Sequence, residues 1–191
     1  MVDVARSTFI LGGQRSGKSR RAELLARDWL AAAPGRRAVM IATGQAWDDE
    51  MRERIARHQI DRAQRVLGMA TVEEPLAVAD ALRQHSDART LVVVDCLTLW
   101  LTNLMMPADP AQALHEPAVV AAGEALCAAI ADAPGPVVLV GNEIGLGVIP
   151  LGREVRQFVD ALGRLNQRVA ASCARVTLMA AGLPLTLKDE T

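Results

Sequence analysis

The sequence predicts an α/β fold with three layers, in which a mostly parallel sheet lies between two layers of helices. Short apolar segments alternate with longer segments of helical periodicity. The strand candidates are continuously apolar, as expected for parallel strands buried on both faces. A glycine-rich segment separates the first strand from the first helix. The chain of 191 residues suits one domain, residues 1–191.

Strands are predicted wherever several apolar residues stand in a row, as in LVVVD at residues 91–95. The predicted strands are residues 8–12, 38–42, 69–73, 91–95, 136–141, 175–180 and 185–188. The last two are separated by a short turn at residues 182–184, which leaves no room for a helical crossover. We therefore expect an antiparallel hairpin at the carboxyl-terminal edge of the sheet.

Helices are predicted where apolar residues recur at intervals of three and four positions. The predicted helices are residues 18–33, 48–62, 76–85, 97–106, 118–133 and 154–174. Residues 107–117 contain three prolines and are predicted to form a loop.

Composition excludes several classes of protein. The net charge is −1, which argues against a nucleic-acid-binding protein. No apolar run approaches the roughly 20 residues of a membrane span, and the amino terminus has no signal-peptide pattern, so we expect a cytoplasmic protein without membrane insertion. The three cysteines are scattered and show no metal-ligand spacing. We expect them to be small buried residues.

The clearest motif is a phosphate loop between the first strand and the first helix. It fits the pattern GxxxxGK[ST] and consists of Gly12, Gly13, Gln14, Arg15, Ser16, Gly17, Lys18 and Ser19. Backbone N–H groups of such a loop surround phosphate oxygens at a helix amino terminus. Lys18 is expected to reach the β- and γ-phosphates, and Ser19 to bind Mg²⁺. Asp95 ends a buried strand and is a second Mg²⁺ candidate, or a helix cap.

A charged helix carries Glu50, Arg54, His58 and Arg62 at intervals of four residues, on one face. One interpretation is a solvated stripe of ion pairs. The other is an anion site, in which the arginines bind phosphates and keep the imidazole of His58 neutral and nucleophilic. The spacing alone leaves both open.

A further loop, residues 141–150 with the sequence GNEIGLGVIP, follows a buried strand. Its glycines and proline are typical of a loop that passes close to a ligand. Asn142 and Glu143 are expected on the same edge of the sheet as the phosphate loop. Whether Glu143 acts as a base or only orders the loop stays open, as does an ordinary strand–helix connection.

Together these motifs resemble one family closely over nearly the whole chain. The matching elements are GGQRSGKSR at residues 12–20, IATGQ at 41–45, DDEM at 48–51 with Arg54, Ile55 and His58, Asp95, TNL at 102–104, NEIGLGVIP at 142–150 and GRLNQ at 163–167. The sequence resembles the bifunctional adenosylcobinamide kinase / adenosylcobinamide-phosphate guanylyltransferases of cobalamin biosynthesis. The combination of the phosphate loop with NExGxGxxP is highly specific.

The resemblance implies a RecA-like phosphate-loop fold and two activities. One phosphorylates adenosylcobinamide with ATP or GTP. The other transfers GMP from GTP to adenosylcobinamide phosphate through a covalent histidine, which gives adenosylcobinamide-GDP and pyrophosphate. Carried onto this chain, that histidine is His58, since Arg57 stands where many members have a second one. The resemblance also implies a homotrimer, which would suit the apolar helix near Trp100.

The family's nucleotide contacts map onto the phosphate loop and onto Thr43, Gly44, Gln45, Arg54, Arg62, Glu73 and Asp95, with Glu74 competing with Glu73. Two alternatives remain. One is a generic phosphate-loop kinase of small molecules or nucleotides, in which His58 is structural. The other is a nucleotide-dependent regulatory module without a transferred product.

Overall fold

Seven strands form a single sheet in the computed structural model, which describes residues 4–190 except the side chain of Arg54. The strands are β1 (Ser7–Gly12), β2 (Arg37–Ala42), β3 (Met69–Glu73), β4 (Thr90–Asp95), β5 (Val137–Asn142), β6 (Arg175–Ala180) and β7 (Leu183–Asp189). The α-helices are α1 (Lys18–Ala32), α2 (Asp49–Arg65), α3 (Val78–His85), α4 (Leu97–Met105), α5 (Glu116–Asp132) and α6 (Arg153–Ser172).

The sheet order is β3-β2-β4-β5-β1-β6-β7. The pairs from β3 to β6 are parallel, and β7 pairs with β6 in the antiparallel direction. The predicted fold class and the edge hairpin are therefore confirmed. The sequence order alternates strand and helix up to β6, which is why the carboxyl ends of six strands meet at one edge.

Helices cover both faces of the sheet. On one face, Phe9, Val92 and Leu139 pack against residues of α3, α4, α5 and α6. On the other face, Ile10, Val93 and Val140 pack against the apolar side of α1. Consecutive residues of one strand thus enter different cores, and this explains why the strands are continuously apolar rather than alternating.

The hairpin turn differs from its prediction. The pairing of Ala180 with Leu183 leaves Ala181 and Gly182 as the two turn residues, rather than residues 182–184. Both have positive φ angles, of 51° and 81°. Two left-handed residues make the turn type that matches the twist of adjacent strands. Pro184 then lies inside β7, which an edge strand tolerates.

Two other boundaries differ for local reasons. The predicted loop at 107–117 contains a short 3-10 helix, Pro110–Gln112, and α5 already begins at Glu116 because Pro117 is well suited to the first helical turn. Helix α3 begins at Val78 rather than at residue 76. The carboxylate of Glu74 accepts hydrogen bonds from the backbone of Leu76 and Ala77, which holds these residues outside the helix.

The apolar helix α4 packs within the chain itself. Trp100 is almost fully buried, and its indole donates to the backbone oxygen of Leu76 at 2.8 Å. Leu97, Leu101 and Leu104 belong to the same core. The apolar character of α4 is therefore explained by burial and does not indicate a subunit contact. Among the helices in residues 4–190, none is long and apolar enough for a membrane span.

Candidate active site

A cavity of about 310 Å³ opens at the carboxyl edge of the sheet. The strand register brings its residues together, because Gly12 pairs with Asn142 and Ala42 pairs with both Glu73 and Asp95. The predicted site residues that line this cavity are Gln14, Arg15, Ser16, Gly17, Lys18, Ser19, Gly44, His58, Arg62, Glu73, Asp95 and Asn142.

Among the residues that the structure describes, five predicted site residues do not line the cavity: Gly12, Gly13, Thr43, Gln45 and Glu143. The side chain of Arg54 falls outside the described part of the chain. Phosphate loop and charged helix therefore share one cavity, although they follow different strands.

The phosphate loop, residues 12–19, is shaped by its backbone. A Cβ on Gly12, whose φ is 153°, would lie 2.4 Å from the backbone oxygen of Met179, so this position admits only glycine. Gly17 has a φ of 97° and precedes α1 directly. Gly182 in the hairpin turn donates its N–H to the oxygen of Ser16 at 3.1 Å. The loop is thus braced from the sheet and from the hairpin.

Lys18 brings a buried positive charge to this loop. Its Nζ donates to the backbone oxygen of Gly13 at 2.6 Å, within the same loop. The hydroxyl of Ser16 is buried and has no hydrogen-bond partner among the residues that the structure describes. A buried polar atom without a partner is costly unless a ligand supplies one. Both observations fit a phosphate group bound in the loop.

The corner between β4 and α4 is held by Thr43. This residue is fully buried, and its hydroxyl accepts from the N–H of Cys96 and donates to the oxygen of the same residue, both at 2.8 Å. Asn103 donates to the backbone oxygens of Thr43 and Pro75 at 2.8 and 3.0 Å. The Asp95–Cys96 peptide bond at this corner is cis. Thr43 therefore acts on the site through the backbone.

Cys96 lines the cavity beside Asp95, but its thiol is unreactive. Burial, reinforced by the negative charge of Asp95, raises the pKa of Cys96 to about 12, against a smaller lowering that includes Lys18. Because the thiolate is the nucleophilic form of cysteine, this protonated thiol is a poor nucleophile near neutral pH.

His58 lies on an exposed part of α2 and faces the same cavity. The helix begins after Asp48, whose carboxylate accepts from the N–H of Met51 at 2.7 Å. Asp49 and Glu50 occupy the first turn, where negative charge suits the helix dipole. The imidazole is therefore a solvent-accessible nucleophile candidate within the nucleotide cavity.

A buried carboxylate connects α2 to the phosphate-loop helix. Glu23 in α1 is 1% exposed and accepts from Arg65 at 2.7 Å, while Nε of Arg62 lies 4.0 Å from it. Arg62 is buried as well and donates to the hydroxyl of Thr71 at 3.0 Å. The hydrogen bond to Glu23 is the main cause of a raised pKa of Arg65, with Asp61 adding to it. Arg62 is thus anchored in the protein and not a freely moving cation.

The two glutamates after β3 have different surroundings. Glu73 lines the cavity and accepts from the amide of Gln59 in α2 at 3.3 Å. Glu74 accepts from the backbone of Leu76 and Ala77, at 2.8 and 2.7 Å, and thereby caps the segment before α3. This difference favours Glu73 as the candidate nucleotide contact.

Asn142 is held at the rim by its backbone. Its N–H donates to the hydroxyl of Thr98 at 2.8 Å, and its oxygen accepts from Asn166 at 3.1 Å. Glu143 donates its N–H to the oxygen of Gly12 at 3.1 Å, and its carboxylate accepts from the N–H of Gly145 at 2.8 Å. The surroundings of Glu143 favour a role in ordering the loop over one as a base.

Sequence reasoning missed Glu23 and Asn103 as contributors to this site. Glu23 stands between Ala22 and Leu25 on the buried side of α1, and a carboxylate beside such a stripe signals a buried partner. Asn103 occupies a buried position in an apolar helix and gives a similar signal. The position of Asn166 in the middle of a helix, within the GRLNQ segment, is compatible with a subunit interface, the site or solvent, and the structure directs its amide to the backbone of Asn142.

The donor set fits a magnesium ion that is bound mainly through nucleotide phosphates. Ser19 and Asp95, both oxygen donors, line the cavity. Within residues 4–190, no group of three or more His, Cys, Asp or Glu side chains is arranged to hold a metal by itself. Mg²⁺ commonly takes only one or two protein ligands beside phosphates and water, so this sparse set suits it.

Fold and site together define a phosphate-loop nucleotide-binding protein of the RecA-like type. A solved ATPase domain has the same fold, with a TM-score of 0.52 at 12% identity, covering 97% of this chain and 78% of that one. Flagellar accessory protein FlaH from Methanocaldococcus jannaschii gives a TM-score of 0.53 at 11% identity, covering 96% and 78%. These similarities establish the fold.

The family is established by sequence. Residues 8–187 match the CobU family model, cobinamide kinase / cobinamide phosphate guanyltransferase, and the chain belongs to this family. It is similar to bifunctional adenosylcobalamin biosynthesis protein CobP of Pseudomonas aeruginosa, at 49% identity over 95% of this chain and 97% of that protein. Bifunctional adenosylcobalamin biosynthesis protein CobU of Escherichia coli is 36% identical, with 94% and 98% covered.

Proposed function

We propose that this chain phosphorylates the aminopropanol hydroxyl of adenosylcobinamide with ATP or GTP, and then transfers GMP from GTP to the phosphate so formed. The products of the second step are adenosylcobinamide-GDP and pyrophosphate. The observation that carries this proposal is the shared cavity, in which a phosphate loop and an accessible histidine lie together. Membership of the cobinamide kinase / guanyltransferase family supports both activities.

In the kinase step, the phosphate loop positions the triphosphate, and the hydroxyl oxygen of the substrate attacks the γ-phosphorus. The bond between the γ-phosphorus and the β–γ bridging oxygen breaks, ADP or GDP leaves, and the hydroxyl proton is released to solvent. Lys18 neutralises charge on the transferred group, and backbone N–H groups at the start of α1 bind phosphate oxygens. Ser19 and Asp95 would hold Mg²⁺, which supplies charge neutralisation on the β- and γ-phosphates when bound. Positioning and charge neutralisation provide most of the rate in this chemistry.

In the transferase step, a ring nitrogen of neutral His58 attacks the α-phosphorus of GTP. A P–N bond forms, the bond between the α-phosphorus and the bridging oxygen breaks, and pyrophosphate leaves. A phosphate oxygen of adenosylcobinamide phosphate then attacks the same phosphorus and releases the imidazole. Arg62, which contacts Glu23 and Thr71 and lines the cavity, would stabilise phosphate charge in this step.

The other nucleotide contacts are proposed on the same grounds. Gly44, Arg54 and Glu73 complete the nucleotide site, and Thr43 and Gln45 support it from the segment after β2. We also propose a cytoplasmic homotrimer of single-domain chains, an expectation supported by the family resemblance. Sedimentation equilibrium tests it, since a mass other than three times 20.4 kDa would contradict it.

The test is a labelling experiment with GTP carrying a radioactive α-phosphate. After incubation with Mg²⁺ and denaturation, we expect label on the protein that is acid-labile and stable in alkali. His58→Ala should abolish it. His115→Ala is the matched control, because this exposed histidine precedes α5 and its side chain makes no capping bond. Label that persists in His58→Ala would contradict the nucleophile assignment. No label, with continued phosphorylation of adenosylcobinamide, would leave a kinase alone.

A further inference from the structure

The loop between β5 and α6 presents a group of exposed apolar side chains. Leu146, Val148 and Leu151 are 82%, 96% and 97% exposed, and Ile144 and Ile149 are exposed as well. Single exposed apolar residues are common on proteins, but a group this dense within eight residues is typical of a binding surface. We call residues 144–151 the apolar loop.

The apolar loop is fastened at both ends. At its start, Glu143 binds the oxygen of Gly12 and the N–H of Gly145. At its end, the guanidinium of Arg156 donates to the backbone oxygens of Pro150, at 3.0 Å, and Leu151. Polar groups hold the backbone while the apolar side chains point away from the protein. The apolar loop therefore combines a fixed backbone with exposed apolar side chains, as expected of a binding surface.

The position of the apolar loop connects it with the reaction. It begins two residues after Asn142, which lines the cavity, and the intervening Glu143 contacts Gly12 of the phosphate loop. The start of the apolar loop is therefore close to the phosphate loop and to the cavity.

The volume of the cavity is small compared with the cobinamide substrate, so part of the substrate needs a binding surface outside it. A volume of about 310 Å³ is at the lower end of the range of roughly 300–1,000 Å³ for small-molecule sites. A nucleotide held by the phosphate loop would occupy part of this cavity. We therefore expect the corrin ring, a larger macrocycle with methyl-bearing faces, to lie outside the cavity with its aminopropanol arm directed inward.

We propose that the apolar loop is the docking surface for the corrin ring of the cobinamide substrate. The inference rests on the proposed function. The ring packs against Leu146, Val148 and Leu151, and the aminopropanol arm passes Asn142 into the cavity. Burial of these side chains provides the affinity for the macrocycle, whereas the nucleotide is bound by the phosphate loop.

The experiment compares the double variant Val148→Ser/Leu151→Ser with the wild-type chain. Both residues are almost fully exposed, so the fold should not depend on them. The matched control is Leu67→Ser. Leu67 is 84% exposed but precedes β3, at the amino ends of the strands, whereas the apolar loop follows the carboxyl end of β5. Thermal unfolding, and GMP labelling without corrinoid, show whether fold and nucleotide site are intact.

We expect the double variant to bind cobinamide at least about tenfold more weakly in equilibrium dialysis, with the visible absorption of the corrin as readout. The KM for adenosylcobinamide should rise by a similar factor. Turnover of aminopropanol alone, which lacks the ring, should be the same in both proteins. Leu67→Ser should behave like wild type in every assay.

Unchanged cobinamide binding in the double variant would overturn the inference, while GMP labelling of the same samples would leave the proposed function standing. Absent labelling and phosphorylation in the wild-type chain would reject the proposed function, and the dialysis result would still decide whether the apolar loop binds corrinoid. A change in sedimenting mass would assign the loop to a second copy of the chain. Pelleting of wild type, but not of the variant, with phosphatidylglycerol vesicles would assign it to a lipid surface.

Discussion

The phosphate loop and helix α2 line the same cavity but are held there in different ways. The phosphate loop continues β1, a strand that is buried throughout, and it is fixed by backbone contacts to Met179 and Gly182. In α2, Arg62 is the one buried residue among those whose side chains are described. The helix depends on polar side chains, chiefly Arg62 and Arg65 around Glu23.

This difference separates the two activities physically. Phosphate binding relies on a geometry that the core of the protein enforces, because a backbone-braced loop cannot shift without disturbing the sheet. The proposed nucleophile, His58, is carried on α2, a helix that a few charged contacts hold in place. Changes to the loop should therefore affect both activities, whereas changes to the anchor of α2 should affect GMP transfer more than phosphorylation.

Gly12→Ala should have the largest effect on stability and activity, because it disturbs the phosphate loop, which backbone contacts hold in place. The added Cβ would approach the oxygen of Met179 to 2.4 Å and the hydroxyl of Ser16 to 2.6 Å, so the loop or β6 must move. We expect a loss of about 3 kcal/mol or more in the free energy of unfolding and loss of both activities. Urea unfolding and nucleotide binding measure this.

Gly13→Ala is the matched control, since a Cβ there meets nothing within 4 Å. It should unfold at nearly the wild-type urea concentration. Equal destabilisation by both substitutions would show that the close approach at Gly12 is not what fixes the loop.

Glu23→Gln should separate the two activities. It keeps a hydrogen-bond acceptor for Arg65 but removes the charge that holds both arginines. We expect a stability loss on the order of 2 kcal/mol, below the roughly 3–5 kcal/mol of fully buried pairs, because Arg65 is 36% exposed. GMP labelling should slow by about tenfold or more, with phosphorylation changing less than about threefold.

Arg65→Met removes the other partner of this ion pair. If Glu23→Gln and Arg65→Met both act by displacing α2, their effects on the rate of GMP labelling should not add when the two substitutions are combined. Equal losses of GMP labelling and phosphorylation in Glu23→Gln would contradict the separate anchoring of α2. They would show that Glu23 stabilises α1 and the phosphate loop rather than the position of α2.

The same contrast explains what the sequence could predict. The phosphate loop was predicted residue by residue, because glycine positions, Lys18 and Ser19 follow local rules within one strand–turn–helix unit. The central strands β1, β4 and β5 were predicted because their burial on both faces produces continuous apolar runs in the sequence. By contrast, the ion pair of Glu23 with Arg65 spans 42 positions, and no local pattern specifies such a contact.

Roles of individual residues needed the structure for a related reason. Thr43 and Glu74 are of types that often contact nucleotides, yet their side chains are directed to backbone groups of Cys96 and of residues 76–77. Which of two adjacent glutamates faces a cavity depends on the register of β3 and the start of α3. The turn at Ala181 was missed because a left-handed alanine has no signal in the sequence.

Thr43→Val tests the rigid side of the cavity with a smaller change. The variant keeps the volume but removes both hydrogen bonds to the backbone of Cys96, leaving buried polar groups without partners. We expect a loss of roughly 1–3 kcal/mol in unfolding free energy and weaker nucleotide binding in both activities. Thr102→Val, whose hydroxyl bonds only to Thr98 in its own helix among the described contacts, should cost much less.

Cys96→Ala should have the smallest effect on GMP labelling and phosphorylation. It compares the backbone-held side of the cavity directly with α2. Cys96 on the rigid side and His58 on α2 are both potential nucleophiles in one cavity. The pKa of about 12 leaves on the order of one thiolate in 10⁵ at pH 7, so the thiol cannot compete for the α-phosphorus. We expect unchanged GMP labelling in Cys96→Ala and a bond with the stability of a phosphoramidate.

The same thiol gives a pH dependence with a defined sign. The folded pKa of Cys96 lies above its ordinary value of 9.0, so the stability that this difference contributes is fully present below pH 9 and is lost as the pH rises toward 12. Cys173 is buried with a pKa of about 12 and acts in the same direction. The sequence has no tyrosine, so no tyrosine titrates in this range. Urea unfolding at pH 8 and pH 10.5 should therefore show a smaller alkaline loss in Cys96→Ala than in wild type. An equal loss would mean that the thiol ionises freely in the folded protein, and Cys96 would return as a rival to His58.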